Sequence, residues 1–163
     1  MSGQQSSPVV TAQTMIRAPV AKVFEAFVDP AVTTRFWFTR SSGRLEPGAT
    51  VRWDWEMYGV GDDIHVRQVE ADRTIVFDWG GEGGLTRVVW TFSALADDRT
   101  FVEVANSGFQ GEPHSLMEQA LDSLGGFTTV LCAAKAWLEL GVNLRLIEDK
   151  FPQALQADWA GRD

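Results

Sequence analysis

The chain has 163 residues, 45% of them hydrophobic and 22% charged, the make-up of an ordinary globular protein with one domain and a sizeable core. A net charge of −8 and a pI near 4.7 argue against nucleic acid or an anionic membrane as partner, since each needs a basic footprint. A single cysteine excludes an internal disulfide, and two histidines, His65 and His114, give no spacing for a structural zinc site.

Residues 1–8 are polar and lack the basic start and apolar run of a signal peptide, so they are expected as a disordered lead-in. Nowhere do about 18 apolar residues run consecutively, so no membrane insertion is expected and the cytoplasm is the expected compartment. Val9 to Arg17 is the first strand. Pro19, followed by Val20, Val23, Phe24 and Phe27 at helical spacing, gives a short amphipathic helix that ends before Asp29-Pro30. A second short turn follows around Val32, Phe36 and Trp37. After the turn signal Glu46-Pro47-Gly48, Val51, Trp53, Trp55 and Met57 alternate with Arg52, Asp54, Glu56 and Tyr58, which puts bulky apolar groups on one strand face and charge on the other. Gly59 to Asp63 reads as the hairpin turn. Ile64 and Val66 continue the alternation until Gln68-Val69, where the phase slips and a bulge is expected. Ile75, Phe77 and Trp79 share a face of the next strand, and glycines 80, 81, 83 and 84 turn the chain. Thr86, Val88, Trp90 and Phe92 share a face of the fifth strand, Asp97-Asp98 turns again, and Val102, Val104 and Asn106 share a face of the sixth.

The longest element is a helix from Ser115 to Gly141. Ala120, Leu124, Phe127, Leu131, Ala134 and Leu138 fall on one face as a burial stripe, Ser115 and Glu118 have the spacing of a capping box, and Gly141 is a stop. Gly125 and Gly126 sit side by side inside it, although a helix-interior glycine costs about 1 kcal/mol relative to alanine. Three arrangements would offset that cost: another backbone close by, a helix thinned where it roofs a cavity, or two helices meeting, the second capped by Asp122 or Ser123. Beside them, Leu121, Gly125, Thr128 and Cys132 form a second line that faces either a ligand or a tight helix-on-sheet contact. Val142 to Asp163 is polar-rich and is expected as a loosely packed tail, with a short helix around Leu155 to Trp159. Hairpin links between the five later strands make the sheet antiparallel, with the helices covering one face, an α+β arrangement.

Read together, Ile16-Arg17-Ala18-Pro19 before a short helix, Asp29-Pro30, the Phe36-Trp37 pair, Pro47-Gly48, Asn106-Ser107-Gly108-Phe109, and a Gly-Phe pair in a helix ending Lys135-Ala136-Trp137-Leu138-Glu139 resemble the START-like, or Bet v-type, helix-grip superfamily (SRPBCC). Within it the chain is similar to the branch named for the activator of the ninety-kilodalton heat-shock chaperone's ATPase. The resemblance spans Val9 to Gly141, and Phe127 stands where that branch commonly has Trp. It implies a helix-grip fold: a curved antiparallel six-stranded sheet wrapped around a long C-terminal helix, with two short helices after the first strand, over residues 9–147 and followed by a tail over 148–163. It also implies an apolar pocket between sheet and helix for lipids, polyketides, hormones or other hydrophobic molecules. The co-chaperone also has an amino-terminal domain for which this sequence has no counterpart, so a chaperone partner is not expected. Homodimers are compatible with such folds.

The expected ligand-binding residues are Trp37, Trp53, Trp55, Trp79, Trp90, Phe92 and Asn106 from the sheet side, with Leu121, Gly125, Thr128 and Cys132 from the helix. Asn106 is the polar residue of most interest, since its amide falls among Val102 and Val104 on the inward face and needs a partner there, either a ligand or a neighbouring backbone group. No catalytic motif stands out. Cys132 is expected in apolar surroundings, where a thiol is inert. Asp54 and Glu56 have the phase opposite to Trp53 and Trp55 and belong outside. Gly80 to Gly84 lacks the Lys-Ser/Thr of a phosphate loop. No cofactor and no metal are expected. The leading expectation is a non-catalytic module that carries or sequesters a small hydrophobic molecule. The alternatives are a polyketide cyclase or aromatase type of enzyme, with Asn106, Arg35 or His114 assisting proton transfer, and a protein-interaction domain acting on a chaperone.

Overall fold

The computed structural model describes residues 7–80 and 84–152. β1 (Val10–Ile16) leads into α1 (Val20–Val28) and the single turn α2 (Pro30–Thr33). Six strands follow: β2 (Arg40–Ser41), β3 (Thr50–Trp55), β4 (Val60–Glu70), β5 (Thr74–Trp79), β6 (Thr86–Ala96) and β7 (Arg99–Ser107). The chain then forms α3 (Pro113–Leu140) and α4 (Leu146–Lys150). The strands make one antiparallel sheet in the order β1-β7-β6-β5-β4-β3-β2. This is the expected α+β helix-grip architecture with seven strands instead of six. The additional strand, β2, pairs only Arg40 and Ser41 with Asp54 and Trp53 and is too short to show a period in the sequence.

Local chemistry explains most boundaries. Asp29 serves α2 as its cap, its carboxylate accepting the Ala31 N–H at 2.9 Å, with Pro30 in the first helical position. The turn between β3 and β4 lies earlier than expected. A 3-10 turn at Glu56–Tyr58 is closed by Gly59 in the left-handed region (φ +64), and Asp62 and Asp63 are already paired with Trp53 and Arg52. The slip in β4 falls between Val66 and Gln68. Of the glycines in the next turn, Gly81 and Gly83 lie outside the described residues.

α3 is one continuous helix across the glycine pair, so no second helix starts at Asp122 or Ser123. It begins at Pro113, ahead of Ser115, and the expected capping box does not form: Ser115 Oγ accepts from Gln119 Nε2, and Glu118 pairs with His114. It ends where expected, at Gly141 with φ +66, whose N–H reaches the Trp137 carbonyl. Its C-terminal half is tied to β1 by Lys135, which donates to the Met15 carbonyl at 2.8 Å and pairs with Glu139, which in turn accepts the Arg17 N–H.

The core fills the space between α1, the C-terminal half of α3 and the concave face of the sheet, with Val23, Phe27, Trp53, Phe77, Trp90 and Leu131 buried in it. Each such side chain contributes about 1.5–3 kcal/mol by leaving water. The burial stripe on α3 holds for Phe127, Leu131, Ala134 and Leu138 but stops short of Leu124, which is exposed. Residues 142–151, expected as part of a loose tail, fold back over the sheet's end. The Tyr58 hydroxyl donates to the Ile147 carbonyl, and the Phe151 ring meets Tyr58 edge-on at 6.1 Å. The short helix expected around Leu155–Trp159 lies outside the described residues. Among the described residues, no helix is long and apolar enough to cross a membrane.

Candidate functional site

Beyond the last buried turn of its stripe, α3 draws away from the sheet and leaves a cleft of about 440 Å³. The sheet side is Trp55, Trp79 and Asn106, joined by Trp37 from the segment after α2. The helix side is Asp122, Ser123, Gly126, Phe127, Thr129 and Val130. Tyr58, Ile147, Lys150 and Phe151 close one end. Trp37 is the hub: its ring lies 6.3 Å from Trp55, 6.0 Å from Trp79 and 6.3 Å from Phe127, all edge-on. Such a box offers π faces and edges to a flat apolar body.

The glycine pair has a clear reason here. Gly126 lines the cleft, and a Cβ placed on it would meet nothing within 4 Å, so the helix is thinned where it faces the cavity. That is one of the three arrangements the sequence left open. A Cβ on Gly125 would meet only the Lys150 ammonium, at 3.2 Å, which comes across the helix at this point. Lys150 also approaches Thr129 Oγ1 at 3.4 Å.

Asn106 is almost wholly buried and holds the cleft's inner wall together. Its amide nitrogen donates to the Arg87 carbonyl at 2.9 Å and to Thr86 Oγ1 at 3.0 Å, while its oxygen accepts from Ser123 Oγ of α3 at 2.8 Å. Of the two sequence alternatives, the bond to a neighbouring backbone group is the one the structure contains. A neighbouring backbone group takes one hydrogen, and one lone pair of the oxygen stays available beside the cleft. At the closed end, burial pushes the Tyr58 phenol pKa up, so it is a proton donor at any physiological pH. Asp62 shares the inward face of Trp53 and Ile64, and burial raises its carboxyl above the usual range, partly offset by the Asp63 and Gly80 N–H groups. On the outer face the Arg87 guanidinium, joined by Arg67, holds Asp78 below the usual carboxylate range.

Not every expected site residue reaches the cleft. Trp37, Trp55, Trp79 and Asn106 line it. Trp53, Trp90 and Phe92 share the same sheet face but lie under other aromatic rings in the core. Phe38 stacks on Trp53 at 4.3 Å, Phe27 covers Trp90 at 4.5 Å, and Phe24 meets Phe92 at 5.3 Å. The second helical line faces away from the sheet. Leu121, Thr128 and Cys132 are exposed, so the apolar surroundings expected for Cys132 are absent, and Gly125 faces Lys150 outside the cleft. His114 stands in the first turn of α3, exposed, and Arg35 lies behind Trp37 in a separate depression. As cleft residues the sequence reading missed Ser123, Phe127 and Val130, which share a side of the helix with Gly126 and were legible as the side adjoining Leu131 and Ala134. It also missed Tyr58 and Ile147, which no local pattern announces. Among the described residues, no three His, Cys, Asp or Glu side chains gather around a common point that could hold a metal ion.

Residues 17–130 match the family model described as activator of Hsp90 ATPase homolog 1-like protein (AHSA1), which is well over half the chain. The chain belongs to this family. No curated protein matches the sequence. Among solved structures, the AHSA1 chain is similar to protein SSP2350 of Staphylococcus saprophyticus, at 30% identity and a TM-score of 0.74, covering 85% of this chain and 96% of that one. It is also similar to DynU16, a protein of the dynemicin biosynthetic locus, at 26% identity and a TM-score of 0.73, covering 83% of this chain and 48% of that one. The Aha1 dimer of Colwellia psychrerythraea shares the fold at 19% identity and a TM-score of 0.69, covering 82% and 98% of the two chains. The matched region contains the cleft's sheet wall, Asn106, Ser123 and Gly126, and ends at Val130 on the cleft's helix side.

Proposed function

We propose that this AHSA1-family protein binds a small, flat, largely apolar molecule in the aromatic cleft and acts as its carrier or sequestering module. The observation that supports this is Gly126. A helix accepts a residue costing about 1 kcal/mol at a position where any side chain would project into the cleft between Trp37, Trp79 and Phe127. The test is Gly126→Leu. It removes the glycine penalty and fills the cleft, so the fold should become no less stable in a urea titration. Binding of 8-anilinonaphthalene-1-sulfonate and of any small molecule that copurifies, read by native mass spectrometry, should fall at least tenfold. Unchanged binding in Gly126→Leu, or a wild-type protein that binds no apolar probe, would sink the proposal.

A second reading, an enzyme of the polyketide cyclase type, is favoured by the free lone pair of Asn106 beside the Ser123 hydroxyl on the cleft wall. DynU16, to which the chain is similar, comes from a biosynthetic locus, which is compatible with an enzyme. Under that reading Asn106→Ala abolishes turnover of a cleft-bound substrate, whereas under the carrier reading it only weakens binding.

A further inference from the structure

Behind the aromatic cleft lies a second, smaller depression of about 100 Å³, roughly the share of three water molecules in the liquid. Trp37 and Ile147 line both cavities and stand between them. Its remaining wall comes from the segment after α2, from Met57 of the 3-10 turn and from the stretch leading into α4, and it brings Arg35 and Arg145 to one small space. The Arg35 guanidinium lies over the Trp137 ring, 5.9 Å from its centroid. Arg145 is presented from a left-handed backbone (φ 57), its N–H bonded to Asn143 Oδ1 at 2.9 Å.

What sets these two arginines apart is that neither has a carboxylate partner among the described residues. Every other described arginine has a carboxylate oxygen within 4.0 Å. In a chain with 22 acidic and 14 basic residues, an arginine without such a partner runs against the composition, and both of them line the same depression. Glu148 is on its rim but within 4.0 Å of neither guanidinium, so it leaves both forks open.

We infer that this depression is an anion subsite, in which Arg35 and Arg145 hold a phosphate or carboxylate group of a small molecule. A guanidinium fork suits such oxyanions because it offers two parallel N–H donors to two oxygens. The cation–π contact with Trp137 keeps the Arg35 guanidinium beside this ring before an anion arrives. Glu148 lowers the affinity for any anion and disfavours those with higher charge. The inference stands apart from the cleft's ligand, since it rests on other residues.

The experiment is a titration of the isotopically labelled full chain with inorganic phosphate at constant ionic strength, chloride being the balancing salt, following the Nε–H resonances of arginine. Expected are saturable shifts at Arg35 and Arg145 and none at ion-paired Arg99. Arg35→Gln and Arg145→Gln should each weaken binding about tenfold or more, the loss of one charge-assisted bond, while Glu148→Gln should tighten it roughly two- to fivefold. Shifts that grow without saturation, that chloride reproduces, or that appear equally at Arg99 would overturn the inference, and the wild-type titration decides this even if a variant misfolds. Repeating it with 8-anilinonaphthalene-1-sulfonate present separates two sources of the anion. Competition assigns the anionic group to a molecule whose body fills the aromatic cleft, and simultaneous binding assigns it to a separate small anion.

Discussion

The concave face of the sheet is one surface with two fates. Trp53 and Trp90 are as inward-facing as Trp55 and Trp79, yet only 1% of each of the first two is exposed, while the other two line a cavity. The sheet does not make the difference. Over Trp53 and Trp90 lie Phe27 of α1 and Phe36 to Phe38 from the segment after α2, so that half is filled with interlocked rings. Over Trp55 and Trp79 lies the part of α3 where Ser123 and Gly126 precede Phe127, whose ring meets Trp79 at 5.7 Å, and beyond that ring the half stays open. A pocket is made by what the covering element withholds, because close packing leaves no space unless a side chain is missing.

The largest expected effect sharpens this division. Trp53→Ala removes a ring packed on all sides and should cost about 3–5 kcal/mol in urea unfolding. Trp55→Ala, on the cleft wall, should cost under about 2 kcal/mol yet weaken binding of an apolar probe more than any core variant that still folds. Equal stability losses for the two would break the comparison.

A middle-sized effect concerns how the open half is held without packing. Asn106 ties β6 and β7 to Ser123 of α3, so Asn106→Leu should strand the Ser123 hydroxyl and the Arg87 carbonyl and cost about 1–3 kcal/mol. Hydrogen exchange should speed up in residues 115–125 of α3 and remain slow in residues 130–138, which rest on the core. Uniform acceleration along the helix would show that the polar tie is not what holds the open half.

The smallest effects contrast the inner and outer faces of the sheet through pH. Asp78, outside, has its folded pKa lowered by Arg87 and Arg67, so its stabilisation is present above the unfolded value of about 3.9 and is lost as pH falls through the lower, folded one. Asp62, inside, has its folded pKa raised by burial. Its penalty is full above that folded value and disappears as pH falls towards about 3.9. Asp78→Asn should therefore destabilise at pH 7 and flatten the acid limb. Asp62→Asn should stabilise at pH 7 by no more than about 0.5 kcal/mol. Urea midpoints measured from pH 3 to pH 7 check both signs.

Much was legible before any coordinates. Period-two alternation in residues 51–55, 75–79 and 86–92, and the period of Phe127, Leu131, Ala134 and Leu138, are local consequences of backbone geometry, and they sufficed for the strands, the long helix and the inward tryptophans. The glycine pair also marked the cavity, as one of three arrangements. A two-residue strand such as Arg40–Ser41 has no period to read, and the hairpin turn at Glu56–Tyr58 hid within a continuing alternation.

Which tryptophans would be covered, and which side of α3 would meet the cleft, only the tertiary structure decided. Both depend on where α1, the Phe36–Phe38 segment and the strap bearing Ile147 settle against a sheet far from them in sequence. The same holds for the two arginines, 110 positions apart, that meet behind Trp37. Periodicity states which way a side chain faces along its own element. What stands opposite is set by contacts between elements, and no local pattern encodes those.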